Sequence, residues 1–391
     1  MKRLLLALLV VLFAAPAHAA TLQERLDAIV DKAVAEEVFV GGVVLVAKDG
    51  KLVYERAAGL ADREAGTPVR LDTRFRLASM TKPVVTAAAL SLVDAGIIGL
   101  DDPVTKWIPE FTPKLPDGTQ PTITIRQLMT HTAGLTNNYS EAKDPSFAWY
   151  GVDGGLANTG LSLEENTARI AKVPLKFKPG SEWWYSYATD VLGDVISRAS
   201  GKSLPQVVQE RIEAPLGIGS FGFTASQPQR LATAYAEGTP PSKMQEGQIV
   251  RRITFHPSRA LSDKTYPSGG AGLVGTAHDY FLFLDAIRKG GKPILSADAI
   301  REFSTNQTGD LPIRLMGAGW GWGLASAILK DPAAAKSPAH AGTLQWGGVY
   351  GTHFWVDPQA GITAVILTNT AMAGTVGAFP EAIRMEVYKE N

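Results

Sequence analysis

The chain has 391 residues, with 38 Lys plus Arg against 38 Asp plus Glu, and no cysteine. Balanced charge with no basic block argues against nucleic acid or an anionic membrane surface as a partner. The missing thiols remove disulfides, thiolate metal sites and a lipid-modified N-terminal cysteine together.

Residues 1–19 read as a secretory signal: Lys2-Arg3, the apolar run Leu4 to Ala15, then Ala17-His18-Ala19 at the cleavage region. The run is short for a membrane span, so a cleaved, periplasmic or secreted protein is expected. Leu22, Leu26, Ile29, Val30, Ala33 and Val34 recur at helical spacing and predict an amphipathic helix. Gly41 to Ala47 and Leu52 to Ala57 flank Asp49-Gly50 and predict a hairpin. Thr86 to about Leu216 reads as mostly helical, broken by the Pro/Gly loop Thr112 to Thr122. Gly238 to Gly247 reads as a loop and Ala333 to Gly342 as a surface excursion. Late strands are expected in Trp320 to Ile328, Trp346 to Val356 and Gly361 to Thr368. The expected fold is α+β: one antiparallel sheet built from both termini (20–85 and 230–391), flanked by helices, with a mostly helical domain (86–229) inserted.

Ser79-Met80-Thr81-Lys82 carries the most chemistry. A serine three positions before a lysine at a helix start shares a face with it. A serine hydroxyl is a poor nucleophile until an adjacent base takes its proton, and S-x-x-K is an acyl-transfer motif. A second match, Ser140-Glu141-Ala142-Lys143, sits in a turn-rich polar stretch and reads as solvated loop. Ser79 instead precedes Pro83 to Val93, an apolar run wide enough to be a buried helix.

Tyr185, in Trp183-Trp184-Tyr185-Ser186-Tyr187, suits a proton relay beside a lysine, or is one of several aromatics packed under a loop. Trp346-Gly347-Gly348-Val349 is the third element. Its glycines admit either a ligand or another backbone, and an N–H there could join that of Ser79 in holding an oxyanion.

Taken together, Phe75 to Lys82, Ile123 to Leu135, Lys178 to Gly193, Gly269 to Leu273 and Trp346 to Pro358 resemble the serine β-lactamase-like hydrolases. That superfamily joins class C β-lactamases, D-alanyl-D-alanine carboxypeptidases and family VIII carboxylesterases. The resemblance implies Ser79 as the acylated nucleophile, Lys82 as base and Tyr185 as relay, with the Ser79 and Val349 N–H groups as the oxyanion hole. It implies a structural role for His131 and neither cofactor nor metal.

Two departures separate the branches. Tyr187 stands where lactamases and peptidases place an amide-bearing Asn, and a phenol cannot supply both a carbonyl and an NH₂. Trp346-Gly347-Gly348 replaces their Lys-Thr-Gly or His-x-Gly. Both changes resemble the esterase branch, with Tyr187, Trp346, Gly347 and Gly348 at the substrate. A small-molecule ester of short to medium acyl chain is therefore the expected substrate. The alternatives are a class C-like β-lactamase, a D-alanyl-D-alanine carboxypeptidase, or a penicillin-recognising protein without turnover. His340-Ala341-Gly342 also reads H-x-G but lies out of register. A Ser-His-Asp hydrolase would want G-x-S-x-G, and a zinc hydrolase H-E-x-x-H; neither occurs.

Overall fold

The computed structural model describes residues 20–138 and 146–390. The signal-like leader and the Ser140–Lys143 motif lie outside these residues.

Helix α1 (Leu22–Ala35) starts at a capping box, the Thr21 hydroxyl accepting from the Glu24 N–H and the Glu24 carboxylate returning to the Thr21 N–H. It buries Leu26, Val30 and Ala33, the predicted stripe. The Asp49-Gly50 turn, with both residues at positive φ, joins β1 (Gly41–Lys48) to β2 (Lys51–Asp62). A short β3 (Thr67–Pro68) completes this edge. The late strands are β4 (Trp320–Trp322), β5 (Ala327–Leu329), β6 (Leu344–Gly348), β7 (Thr352–Asp357) and β8 (Ile362–Thr368). All join one eight-stranded sheet in the order β4-β5-β6-β7-β8-β1-β2-β3, antiparallel throughout.

The two ends of the chain meet at the centre, where β1 pairs with β8 from Gly42↔Thr368 to Lys48↔Ile362. Both strands are near-continuous apolar runs because both faces are covered. Burying Ile362, Val365, Ile366 and Leu367 contributes about 1.5–3 kcal/mol each. Helix α4 (Ala277–Arg288) packs on β8, β1 and β7. Helix α5 (Ala378–Val387) packs with α1, which also crosses β2. Away from the sheet, α2 (Thr81–Asp94) is buried along nearly its whole length and packs against α3 (Ala188–Ser200).

Four expectations need correction. The segment after α2 is less helical than its composition suggests. Between Ala95 and Thr124 the only helical piece is the single turn Val104–Lys106, because Pro103, Pro109, Pro113, Pro116 and Pro121 each remove a backbone donor. Trp320 to Ile328 is two strands, closed by a bond from the Gly323 N–H to the Ser326 carbonyl at 2.9 Å. The Trp346 to Val356 run likewise turns at Tyr350-Gly351, where Gly351 adopts φ 101°. The Gly238 to Gly247 loop holds a two-residue strand, Ser242–Lys243.

Candidate active site

Ser79 lies in a tight turn, Ala78–Met80, that runs directly into α2. Ala78 takes φ +46°, a left-handed conformation costly for a residue with a Cβ. The surrounding bonds hold it there. The Thr81 hydroxyl donates to the Ala78 carbonyl at 2.6 Å and accepts from the Leu273 N–H at 3.0 Å. The Leu77 N–H reaches the Leu273 carbonyl at 2.9 Å, and the Tyr280 hydroxyl reaches the Met80 carbonyl at 2.9 Å. A turn over-determined in this way keeps Ser79 partly exposed while its neighbours Ala78 and Met80 are fully buried.

One helical turn on, Lys82 is buried. Its Nζ lies 3.4 Å from the Ser79 Oγ and donates to the Gly270 carbonyl at 2.8 Å. It also stands over the Tyr185 ring, 4.6 Å from the centroid. The phenol's hydroxyl accepts from the Trp346 indole N–H at 3.2 Å. Ser79, Lys82, Tyr185 and Trp346 therefore converge from three separate stretches of the chain.

The aromatic run of the sequence divides. Trp183, Tyr185, Trp322, Trp346 and His131 form one cluster, with Trp322 and Trp346 meeting edge-on at 4.5 Å and His131 lying 4.7 Å from Tyr185. Trp184 faces away, stacked by Lys176 and Arg314. His131 binds the Ser186 hydroxyl through Nδ1 at 3.0 Å. Burial first, and the Lys82 charge second, hold it well below the usual imidazole range, so it is neutral. A buried neutral ring already bonded to Ser186 braces the aromatic cluster.

Gly348 approaches another backbone. A Cβ there would collide with the Leu77 carbonyl oxygen and stand 3.1 Å from the Ala78 Cβ. A Cβ on Gly347 would meet the Thr352 carbonyl oxygen at 2.7 Å and the Thr375 side chain at 3.0 Å. β6 thus lies directly on the turn that holds Ser79. The next residue along each chain, Val349 and Ser79, has an N–H that takes part in no hydrogen bond among the described residues.

Tyr187, expected at the substrate, is engaged by the 137–138 loop and by Phe147. Its hydroxyl donates to the Asn138 side chain and accepts from the Asn138 N–H at 3.3 Å. Its ring meets Phe147 edge-on at 5.5 Å. It is buried, and these bonds tie it to the 137–138 loop. His340 is remote from Ser79 in the fold: its Nδ1 pairs with Asp357 at 2.9 Å at the far end of β7. The described residues contain no group of three or more His, Cys, Asp or Glu able to hold a metal.

Sequence reasoning missed Asp190, on the first turn of α3, and Ser268, which donates to it at 2.6 Å. The available signal was an acidic residue inside the apolar helix that follows Tyr185.

A family model described as Beta-lactamase matches residues 26–381. Esterase EstB of Burkholderia gladioli is 46% identical over 380 residues, covering 95% of this chain and 96% of that one. The solved structure of EstCE1, a hydrolase with promiscuous acyltransferase activity, superposes with a TM-score of 0.90 at 40% identity, covering 94% of this chain and 98% of that one. Simvastatin Synthase (LovD) from Aspergillus terreus has the same fold at a TM-score of 0.73 and 22% identity, covering 95% and 99%. With its sheet, its S-x-x-K turn and these relatives aligned along nearly the whole chain, this protein belongs to the Beta-lactamase family.

Proposed function

We propose that this chain is a serine carboxylesterase that cleaves esters of short to medium acyl chain through an acyl-enzyme on Ser79. The observation that carries the reading is the buried Lys82 Nζ, 3.4 Å from the Ser79 hydroxyl and over the Tyr185 ring. Two relatives that share most of its length, Esterase EstB and the hydrolase EstCE1, support it.

The steps follow from these residues. Ser79 Oγ attacks the ester carbonyl carbon as Lys82 takes its proton. Charge moves to the carbonyl oxygen, which accepts hydrogen bonds from the Ser79 and Val349 N–H groups. Collapse breaks the bond to the alcohol oxygen, which leaves with a proton relayed by Tyr185 from Lys82. Water then attacks the acyl-Ser79 carbonyl, gives its proton back through the same pair, and releases the acid. The signal-like leader supports a periplasmic or secreted location.

The substrate class follows from what the site lacks. Trp346 offers no cation or imidazole to a substrate carboxylate, and the Tyr187 hydroxyl is committed to Asn138. A site without partners for a substrate's polar groups gains little from them, whereas apolar contacts discriminate only about 10–200-fold per methylene. Specificity constants for short aryl esters should therefore exceed those for any cephalosporin. After fluorophosphonate treatment, mass spectrometry should find the adduct on the peptide holding Ser79. An adduct elsewhere, or a cephalosporin preferred over every aryl ester, would overturn the assignment.

A further inference from the structure

The structure assigns Asp190 as the positioning residue for Lys82: its carboxylate anchors the Gly270 peptide, whose carbonyl holds the lysine beside Ser79. This rests on Lys82 acting as the base of the reaction proposed above.

Asp190 is 1% exposed. One carboxylate oxygen accepts from the Ser268 hydroxyl at 2.6 Å and from the Gly270 N–H at 3.3 Å. The carbonyl of that same Gly270 accepts from Lys82 Nζ at 2.8 Å. One residue thus links an anion, through its amide, to a cation, through its carbonyl. The second carboxylate oxygen has no hydrogen-bond partner among the described residues. It stands 3.1 Å from the point where a Cβ on Gly270 would be, and Lys82 Nζ stands 3.5 Å from that same point. The bare Cα of Gly270 is what leaves the gap between them open.

A buried carboxylate oxygen without a donor is costly unless a counter-charge lies near. Lys82 supplies it. Burial pushes the Asp190 carboxyl above the usual carboxylate range; the Ser268 hydrogen bond opposes this most, and the Lys82 charge next. The other groups facing this pair do not replace the anion. Around Lys82 stand Ser79, Tyr185 and the neutral His131. Around Asp190 stand Tyr187, Tyr266 and Asp153. The Asp153 carboxylate is already taken by the Gly155 N–H at 2.8 Å and the Thr159 hydroxyl at 2.7 Å.

The test compares pH profiles of kcat/KM on an aryl ester for wild type, Asp190→Asn, Asp190→Ala and Lys82→Ala, with thermal melts confirming that each folds. Asp190→Asn keeps an acceptor for Ser268 and Gly270 but removes the charge. The lysine cation then loses its counter-ion and deprotonates more readily, so the acid limb moves to lower pH by about one unit or more. Asp190→Ala also frees the Gly270 peptide, and kcat falls by a further ~100-fold, the scale of a small misplacement of a reacting group. An acid limb in folded Asp190→Asn that coincides with wild type overturns the assignment. If that variant does not fold, Ser268→Ala asks the same question. It weakens the carboxylate's hold on its charge, so the limb moves the same way by less, and an unmoved limb overturns the assignment. Turnover retained in Lys82→Ala would instead overturn the catalytic reading itself.

Discussion

The Trp346 indole N–H donates to the Tyr185 hydroxyl at 3.2 Å, with the two ring centroids 5.2 Å apart. An indole N–H is a donor only, so the phenol oxygen accepts here and its own proton is directed elsewhere. In the proposed reaction that proton goes to the leaving alcohol. The residue that departs from the lactamase pattern therefore also orients the phenol proposed as the relay.

Replacing Trp346 by Phe keeps an aromatic ring, removes the donor and gives up part of the indole's packing against Trp322. A buried hydrogen bond of this type is worth about 1 kcal/mol net. We expect kcat to fall roughly fivefold to tenfold with KM little changed, measured on an aryl ester. An unaltered kcat would leave Trp346 with a packing role alone.

In the proposed reaction Lys82 and Tyr185 act with Ser79 on one proton. Lys82→Ala and Tyr185→Phe should each lower kcat by at least ~100-fold. The double variant should be little worse than the poorer single one, because groups acting as a unit are non-additive. Two independent losses that multiply in the double variant would contradict a shared proton path.

Gly348 has its bare Cα against the Leu77 carbonyl. Adding a methyl forces β6 away from the nucleophile turn, at about 1–3 kcal/mol for overpacking, and separates Val349 from Ser79. Gly348→Ala should lower both the melting temperature and kcat. Gly219→Ala, where a Cβ meets nothing within 4 Å, is the matched control and should leave kcat unchanged. Equal effects from the two substitutions would remove the close approach as the cause.

Glu213 gives a pH dependence of stability distinct from catalysis. Burial pushes its carboxyl up to about 7, against the hydrogen bond it accepts from the Phe221 N–H at 2.9 Å. Because the folded value is raised, the folded state binds this proton more tightly than the unfolded chain. That stability is fully present below about 4.5 and is lost as pH rises through about 7. Glu213→Gln keeps an acceptor for Phe221 and cannot ionise. It should melt higher than wild type at pH 8, with the gain vanishing near pH 4. Denaturant titrations at the two pH values measure it, and a gain independent of pH would rule out this ionisation.

Local signals were enough for part of this protein. The spacing from Leu22 to Val34, the Asp49-Gly50 turn and the Ser79–Lys82 interval are short-range patterns, and α1, the β1–β2 hairpin and the turn entering α2 follow from them. The prolines of Thr112 to Thr122 marked a loop in the sequence, but Pro103 and Pro109 were not given the same weight, and helix was overestimated between Ala95 and Phe111. Tertiary structure decided what depends on contacts between distant residues. Nothing near Tyr187 in sequence says that Asn138 will engage its hydroxyl. Nothing near Gly348 says that Leu77 will occupy the space of its missing side chain. Asp190 reads as an ordinary acidic residue near a helix start until residues 268–270 fold over it and connect it to Lys82. A turn or a helix face is specified by neighbours a few residues away. A buried charge is specified by whatever the fold brings to meet it, and its cost without a partner makes that meeting part of the structure.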